Sequence, residues 1–211
     1  MNKKLTVAAF GAHPDDIEWS MMGTLIKYKE QGHNVHMVVA TDGGRGGDAA
    51  VRKQEAIAAA AHIGIEPVLL NFEDGRLVYT REIYEKFIEA YDKIKPDVVF
   101  THDPDNDYHP DHRKVGRLVT DTSWVPVFYA DTMAGLGFVP QFYVDITDQM
   151  QFKKKIISEH KSQMHTRYLE VMEVQNRFRG LQCNWSEDRY AEAFRLFPRI
   201  EYVQGYRLLP E

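Results

Sequence analysis

Short apolar runs alternate along this chain with segments whose apolar residues recur at helical spacing. Leu5 to Phe10 is apolar and free of charge, which predicts a parallel strand buried on both faces. From about Glu18 to Gln31, Met21, Met22, Leu25, Ile26 and Tyr28 predict a helix that Gly32 stops. Val35 to Thr41 reads as the second strand, Asp42 to Asp48 as a glycine-rich loop, and Val51 to Ile63 as an alanine-rich helix ended by Gly64. Val68 to Phe72 is the third strand, turned by Glu73-Asp74-Gly75. Thr80 to Ile94 carries Ile83, Phe87, Ile88 and Tyr91 on one helical face and ends at Lys95-Pro96. Val98 to Thr101 is the fourth strand, His102 to Pro110 a polar loop, and Asp111 to Asp121 a helix.

This rhythm predicts the α/β class: a Rossmann-like, mostly parallel sheet with helices on both faces, built as a single domain over residues 1–211. Right-handed crossovers give the order 3-2-1-4, so strands 1 and 4 lie side by side and open a crevice at their carboxyl ends. After Thr122 the pattern weakens. Tyr143 to Thr147 reads as a strand, Gln149 to His160 as a helix, Tyr168 to Arg179 as a weaker helix, and Ala191 to Phe197 as a strand or a helical turn.

Two polar clusters fall at that crevice. His13-Pro14-Asp15-Asp16 follows strand 1, and His109-Pro110-Asp111-His112 follows strand 4. Two imidazoles and one carboxylate suit a catalytic divalent cation that keeps a position open for water. His13, Asp16 and His112 are therefore the expected metal ligands, with zinc the expected ion and Fe2+ or another divalent metal the alternative. Asp15 is placed to take a proton from the attacking water. His109 is placed to stabilise an oxyanion or protonate a leaving amine, and Asp111 to hydrogen-bond a histidine ring. Taken singly, either aspartate after His13 also reads as a helix cap, and His-Pro-Asp-His as a turn in which Asp111 caps the next helix. Of the other histidines, only His102, at the end of strand 4, falls close to the site; His160 and His165 lie outside the repeating region.

The bulk properties narrow the class. Net charge is −5 with no basic block, so nucleic acid is not an expected partner. Lys153-Lys154-Lys155 reads as the solvated side of a helix. Cys183 is the single cysteine, which excludes an intramolecular disulfide and suits a reducing compartment. The start, Met1 to Phe10, superficially resembles a signal peptide, but its apolar run is cut short by His13 and two aspartates. No run approaches the roughly 20 apolar residues of a membrane span. The expected location is the cytoplasm, and a homo-oligomer is compatible with the aromatic-rich tail of Trp185, Tyr190, Phe194 and Phe197.

At the two clusters the chain resembles the PIG-L/LmbE-like zinc deacetylases. The family's opening signature stands here as Gly11-Ala12-His13-Pro14-Asp15-Asp16-Ile17-Glu18, and its second as His109-Pro110-Asp111-His112. Weaker echoes are Thr41-Asp42-Gly43, Val51-Arg52-Lys53-Gln54-Glu55, Asp74 and His160-Lys161-Ser162-Gln163. The resemblance implies a zinc-dependent de-N-acetylase acting on a small-molecule amino sugar such as an N-acetylglucosaminide. It assigns the same roles to His13, Asp15, Asp16, His109 and His112, and it adds Arg52 and Asp74 as substrate contacts. A salt bridge at a helix start is the competing reading of Arg52. The loop after strand 2 departs from the family pattern, reading Asp42-Gly43-Gly44-Arg45-Gly46-Gly47 without the usual acidic residue beside its arginine.

Three other readings compete. An amidase of a larger conjugate needs only a bigger pocket. A non-haem iron oxygenase uses the same donor set, but such sites sit in all-β folds. A sugar- or nucleotide-binding module would have no need of the spare carboxylate Asp15.

Overall fold

A computed structural model describes residues 4–165, 167–185 and 188–197. Residues 1–3 of the leader-like start, and several positions of the expected 1–211 domain, lie outside the described residues.

The sheet has seven strands in the order β3-β2-β1-β4-β5-β7-β6. These are β1 Thr6–Gly11, β2 Asn34–Thr41, β3 Val68–Phe72, β4 Val98–His102, β5 Val127–Ala130, β6 Phe142–Asp145 and β7 Ala191–Leu196. The first five pair in parallel, and β7 runs antiparallel to β5 and β6. Strands 1 and 4 are neighbours, with Val7, Ala8 and Ala9 opposite Val98, Val99 and Phe100. β5 had no forerunner in the sequence pattern. The segment that read as strand or helical turn is strand β7.

The helices are α1 Asp16–Ser20, α2 Met22–Glu30, α3 Ala49–Ala61, α4 Arg81–Ile94, α5 Pro110–Thr122, α6 Met150–Ile157 and α7 Tyr168–Gln182. The single helix expected from Glu18 to Gln31 is two, broken at Met21, whose φ of −146° is not helical. Two apolar layers flank the sheet. Ile17, Leu25, Ala59, Ile156 and Met172 pack on one face, and Phe87, Ala90, Val115 and Leu118 on the other.

The lysine triple is a solvated side only in part: Lys155 is exposed and Lys154 half-buried, but the first lysine turns inward. Lys153 is fully buried, with Nζ 2.7 Å from Glu192 Oε1 and 3.1 Å from Asn176 Oδ1. Glu192 also accepts the backbone N–H groups of Gly23 and Thr24. It thus supplies from β7 the cap that Met21 cannot give α2. The charged pair satisfies polar groups where α2, α6, α7 and β7 meet, and a sequence window shows none of that.

Two local devices place the site. His109 is the N-cap of α5, its Nδ1 accepting Asp111 N–H at 3.2 Å, with Pro110 in the first turn. Gly116, further along α5, lies so close to β4 that a Cβ would sit 2.5 Å from the His102 carbonyl oxygen. That approach brings His112, one turn earlier, over the end of β4. Among the described residues no helix is long and apolar enough to cross a membrane.

Candidate metal centre

The two clusters, 99 residues apart at His13 and His112, meet at the carboxyl ends of β1 and β4. His13 Nδ1 lies 3.2 Å from His112 Nε2. Asp16 Oδ2 is 3.3 Å from His13 Nδ1, and Asp16 Oδ1 is 3.2 Å from His112 Nε2. All three residues are largely buried.

The outer contacts of the two rings decide what their inner nitrogens offer. His112 Nδ1 faces Asp107 Oδ1 at 3.0 Å, and His13 Nε2 faces Asp74 Oδ1 at 3.1 Å. Each carboxylate draws the ring proton to its own side. Both inner nitrogens then present lone pairs to each other, beside a carboxylate. Either an added ring proton or a metal cation between them satisfies that arrangement. Donors about 2.0–2.1 Å from a tetrahedral zinc lie roughly 3.3–3.4 Å from one another, close to the spacing here. The residues fit a divalent metal. His112 also joins His13 and His109 in one three-donor cluster, and Asp16 and His102 in another, the donor atoms of each within 4.8 Å of one another.

Titration follows the same field. Burial lowers the His112 pKa, but Asp16 and Asp107 outweigh it and push it up to about 10. Burial acts against the Asp16 carboxylate, yet His112, His102 and His13 hold its pKa well below the ordinary value. Protons and a metal compete for this one negative pocket.

His102 stands behind the centre. Its Nε2 accepts Ala12 N–H at 3.0 Å and lies 3.2 Å from Asp16 Oδ2, and its ring stacks on His112 at 4.0 Å. Burial lowers its pKa, so the neutral ring is favoured.

Asp15 occupies the N-cap position of α1 but makes no capping hydrogen bond, and neither aspartate serves as the cap expected by the simpler reading. Its φ is +109°, a left-handed conformation of the kind that functional sites retain at a cost of about 1–3 kcal/mol. The turn lets consecutive aspartates face one pocket with different partners. Asp15 Oδ1 accepts Arg52 Nη2 at 3.2 Å, and Oδ2 accepts the Tyr168 hydroxyl at 2.8 Å. Burial, then the neighbouring Asp16 charge, push the Asp15 pKa up to about 6 against the pull of Arg52.

Arg52 is buried and also donates to the carbonyls of Gly43 and Pro14, at 2.8 and 2.5 Å. Its visible work is the salt bridge to Asp15. Asp74 accepts Arg45 N–H at 2.9 Å besides facing His13. Both residues also line the pocket. Asp111 corrects an expectation: its Oδ2 is 3.8 Å from His13 Nε2, too far for a hydrogen bond, and accepts Gly75 N–H at 2.8 Å instead. Asp107 and Asp74 hold the rings in its place. His109, half-buried between the rings of His13 and Tyr108, has a pKa lowered by burial and by His112.

Asp107 and Tyr168 escaped the sequence reading. Asp107 sits in an irregular loop, and Tyr168 comes from α7, 153 residues from Asp15. The Glu18–His160 pair was also missed. His160 is fully buried with Nε2 3.4 Å from Glu18 Oε1, and neither ring nitrogen makes a hydrogen bond.

Around these groups lies a pocket of about 970 Å³, walled by Trp19, Tyr108, Met133 and Tyr168 on its apolar side. That is the upper end of the range for small-molecule sites, roughly 300–1,000 Å³.

A family model described as PIG-L, GlcNAc-PI de-N-acetylase, matches residues 8–123, which include both clusters. The chain belongs to the PIG-L family. Diacetylchitobiose deacetylase of Thermococcus kodakarensis is 32% identical over 217 residues, covering 89% of this chain and 81% of its own length. The solved N,N'-diacetylchitobiose deacetylase from Pyrococcus horikoshii superposes with a TM-score of 0.80 at 29% identity, over 97% of this chain and 86% of that one. GalB, the 4-carboxy-2-hydroxymuconate hydratase of Pseudomonas putida KT2440, superposes with a TM-score of 0.81 at 21% identity, over 92% and 97%. That last likeness concerns the PIG-L fold alone.

Proposed function

We propose that this protein is a metal-dependent de-N-acetylase that removes the acetyl group from an N-acetylated amino sugar, such as an N-acetylglucosaminide. The observation that carries the reading is the convergence of His13 Nδ1, His112 Nε2 and Asp16 within 3.2–3.3 Å of one another, with Asp15 alongside. Membership of a de-N-acetylase family supports the choice of reaction. His13, Asp16 and His112 would hold the ion, with zinc the first candidate from the donor set. A divalent cation there would lower the pKa of a bound water to about 7 and polarise the acetamide carbonyl.

The chain's own residues divide the remaining work. Asp15 takes the proton as water attacks the carbonyl carbon, and its raised pKa makes it a better base than an ordinary aspartate. Arg52 and Tyr168 fix both its oxygens, so the carboxylate does not rotate away from the water. Asp111 N–H donates to His109 Nδ1, which leaves the ring proton on Nε2. That N–H is the donor for the oxyanion. As the C–N bond breaks, the proton held by Asp15 passes to the leaving nitrogen, and acetate and a free amine result. Arg52 and Asp74 are buried in the pocket wall beside Asp15 and His13, and would meet the sugar there.

The α/β sheet and the family favour hydrolysis over the iron oxygenase reading. The hydratase neighbour makes the assay decisive. Acetate release from a panel of N-acetylglucosaminides, chelated and then restored with zinc, tests the proposal. Metal-dependent acetate is expected. Confirmed metal with no acetate from any member would overturn it.

A further inference from the structure

The loop between β4 and α5 carries Asp107, the carboxylate that fixes His112, and the loop is itself shaped from two strands away. Asp103, the first residue after β4, is fully buried. Its Oδ1 accepts the N–H groups of Asp105 and Asn106 at 2.9 and 3.0 Å, and its Oδ2 accepts the Asn106 side-chain amide at 3.2 Å. Its carbonyl accepts the Asp107 N–H at 3.4 Å. Asp103 therefore folds the turn 103–107 around its own side chain, as aspartate does in tight turns.

The counter-charge for this buried carboxylate comes from β7. Arg195 stands opposite Tyr129 of β5, and its guanidinium lies 5.1 Å from the centre of that ring. The side chain crosses β5 and meets Asp103 with two points of its fork, Nε 3.1 Å from Oδ2 and Nη2 3.0 Å from Oδ1. Asp105, whose Oδ2 is 3.7 Å from Arg195 Nη2, is exposed and also pairs with Arg117. Beyond the turn, Asp107 Oδ1 accepts the His109 N–H at 2.9 Å and faces His112 Nδ1 at 3.0 Å. Arg113 of α5 donates to the Asp107 carbonyl at 2.6 Å. Asp107 is thus gripped between β4, through the Asp103 turn, and α5. An unbroken line of contacts runs from Arg195 through Asp103 and the turn to Asp107 and His112.

We propose, on the metal-centre reading above, that Arg195 is a positioning residue for the metal. Through Asp103 it sets where Asp107 meets His112, and so how tightly the centre holds its ion. A carboxylate that accepts a ring N–H fixes the tautomer and tilt of the imidazole, and small displacements of it weaken the inner nitrogen as a ligand. Removing the arginine fork leaves the Asp103 charge buried without its cation. The turn then opens to bring that charge towards water, and Asp107 moves with it. Arg195 touches neither the metal ligands nor the ring it serves, so its effect on the ion passes through Asp107.

The test is a double-mutant cycle between Arg195 and Asp107, read as zinc affinity by chelator competition, with Tm measured on the same preparations. R195M keeps the stem over Tyr129 and removes the fork. It should weaken zinc binding by about tenfold in the wild-type background. In the D107A background the same change should alter affinity by less than about twofold, because the path ends at Asp107. R195K restores the charge without the fork and should recover part of the loss. An equal loss in both backgrounds overturns the proposal, and so does a lower Tm with zinc affinity unchanged, which makes the pair purely structural. Should R195M fail to fold, R195K carries the cycle alone: a loss of about threefold that vanishes in D107A upholds the role, and no loss or the same loss in both backgrounds refutes it. A folded wild type that takes up no divalent metal overturns the metal centre and this role together, whereas bound zinc indifferent to Arg195 overturns the role alone.

Discussion

Asp107 Oδ1 lies 3.0 Å from His112 Nδ1, and this contact determines which nitrogen of His112 turns towards His13 and Asp16. Hydrogen bonding to His112 helps hold the Asp107 carboxylate ionised against the cost of burial. The inner nitrogen is thereby kept as a lone-pair donor for a metal. Asp107→Ala should weaken zinc affinity by about 10–100-fold without unfolding the protein. A chelator competition titration checks this, and unchanged affinity would remove Asp107 from the site.

Asp15 stands beside the proposed ligands without belonging to them. Asp15→Asn keeps the shape and loses the base, so metal stoichiometry should stay the same while kcat falls by about 10²–10⁴-fold. Metal analysis and turnover on the same preparation separate the two effects. Loss of the metal itself would mean that Asp15 is a ligand.

The buried pair of His160 and Glu18 should make stability depend on pH. Burial lowers the His160 pKa, but Glu18 reverses this and raises it above 6.5. A histidine raised on folding contributes its full stabilisation below the unfolded pKa and loses it as pH rises through the folded one. His160→Gln should therefore lower Tm most near pH 6 and progressively less towards pH 9, with metal content held fixed. A gap in Tm that does not change with pH would show that the pair is not ionised.

Lys153 predicts a purely structural effect. Lys153→Met leaves Glu192 buried with only backbone donors and the Asn176 amide unanswered at that end. Breaking a buried pair by removing one partner costs about 3–5 kcal/mol. Tm should drop by roughly 6–20 °C for a chain of this size. Zinc affinity of the folded protein should be unchanged, and chelator titration below the melting range reads it.

Much of the site was legible in the sequence because its groups sit at strand ends. His13 and Asp16 follow β1 within one turn, and His112 stands in the first turn of a helix after β4, so periodicity and crossover handedness alone bring them together. β1, β2 and β4 were legible because buried parallel strands are written mostly in apolar residues, and β3, an edge strand, because Val68-Leu69-Leu70 stands between polar turn segments. The break at Met21 was hidden because apolar spacing continues smoothly through it.

Tertiary structure alone decided the partners. Asp107 rather than Asp111 holds His112, because a loop's path, not its spacing, sets which carboxylate reaches a ring. Tyr168 meets Asp15 from α7, and Lys153 turns inward because Glu192 waits on β7. Those contacts join segments far apart in sequence through irregular backbone, where no periodicity carries direction. Residue types near a strand end determined what chemistry was available. The packing of distant elements determined which atoms face one another, and therefore which proton each histidine keeps.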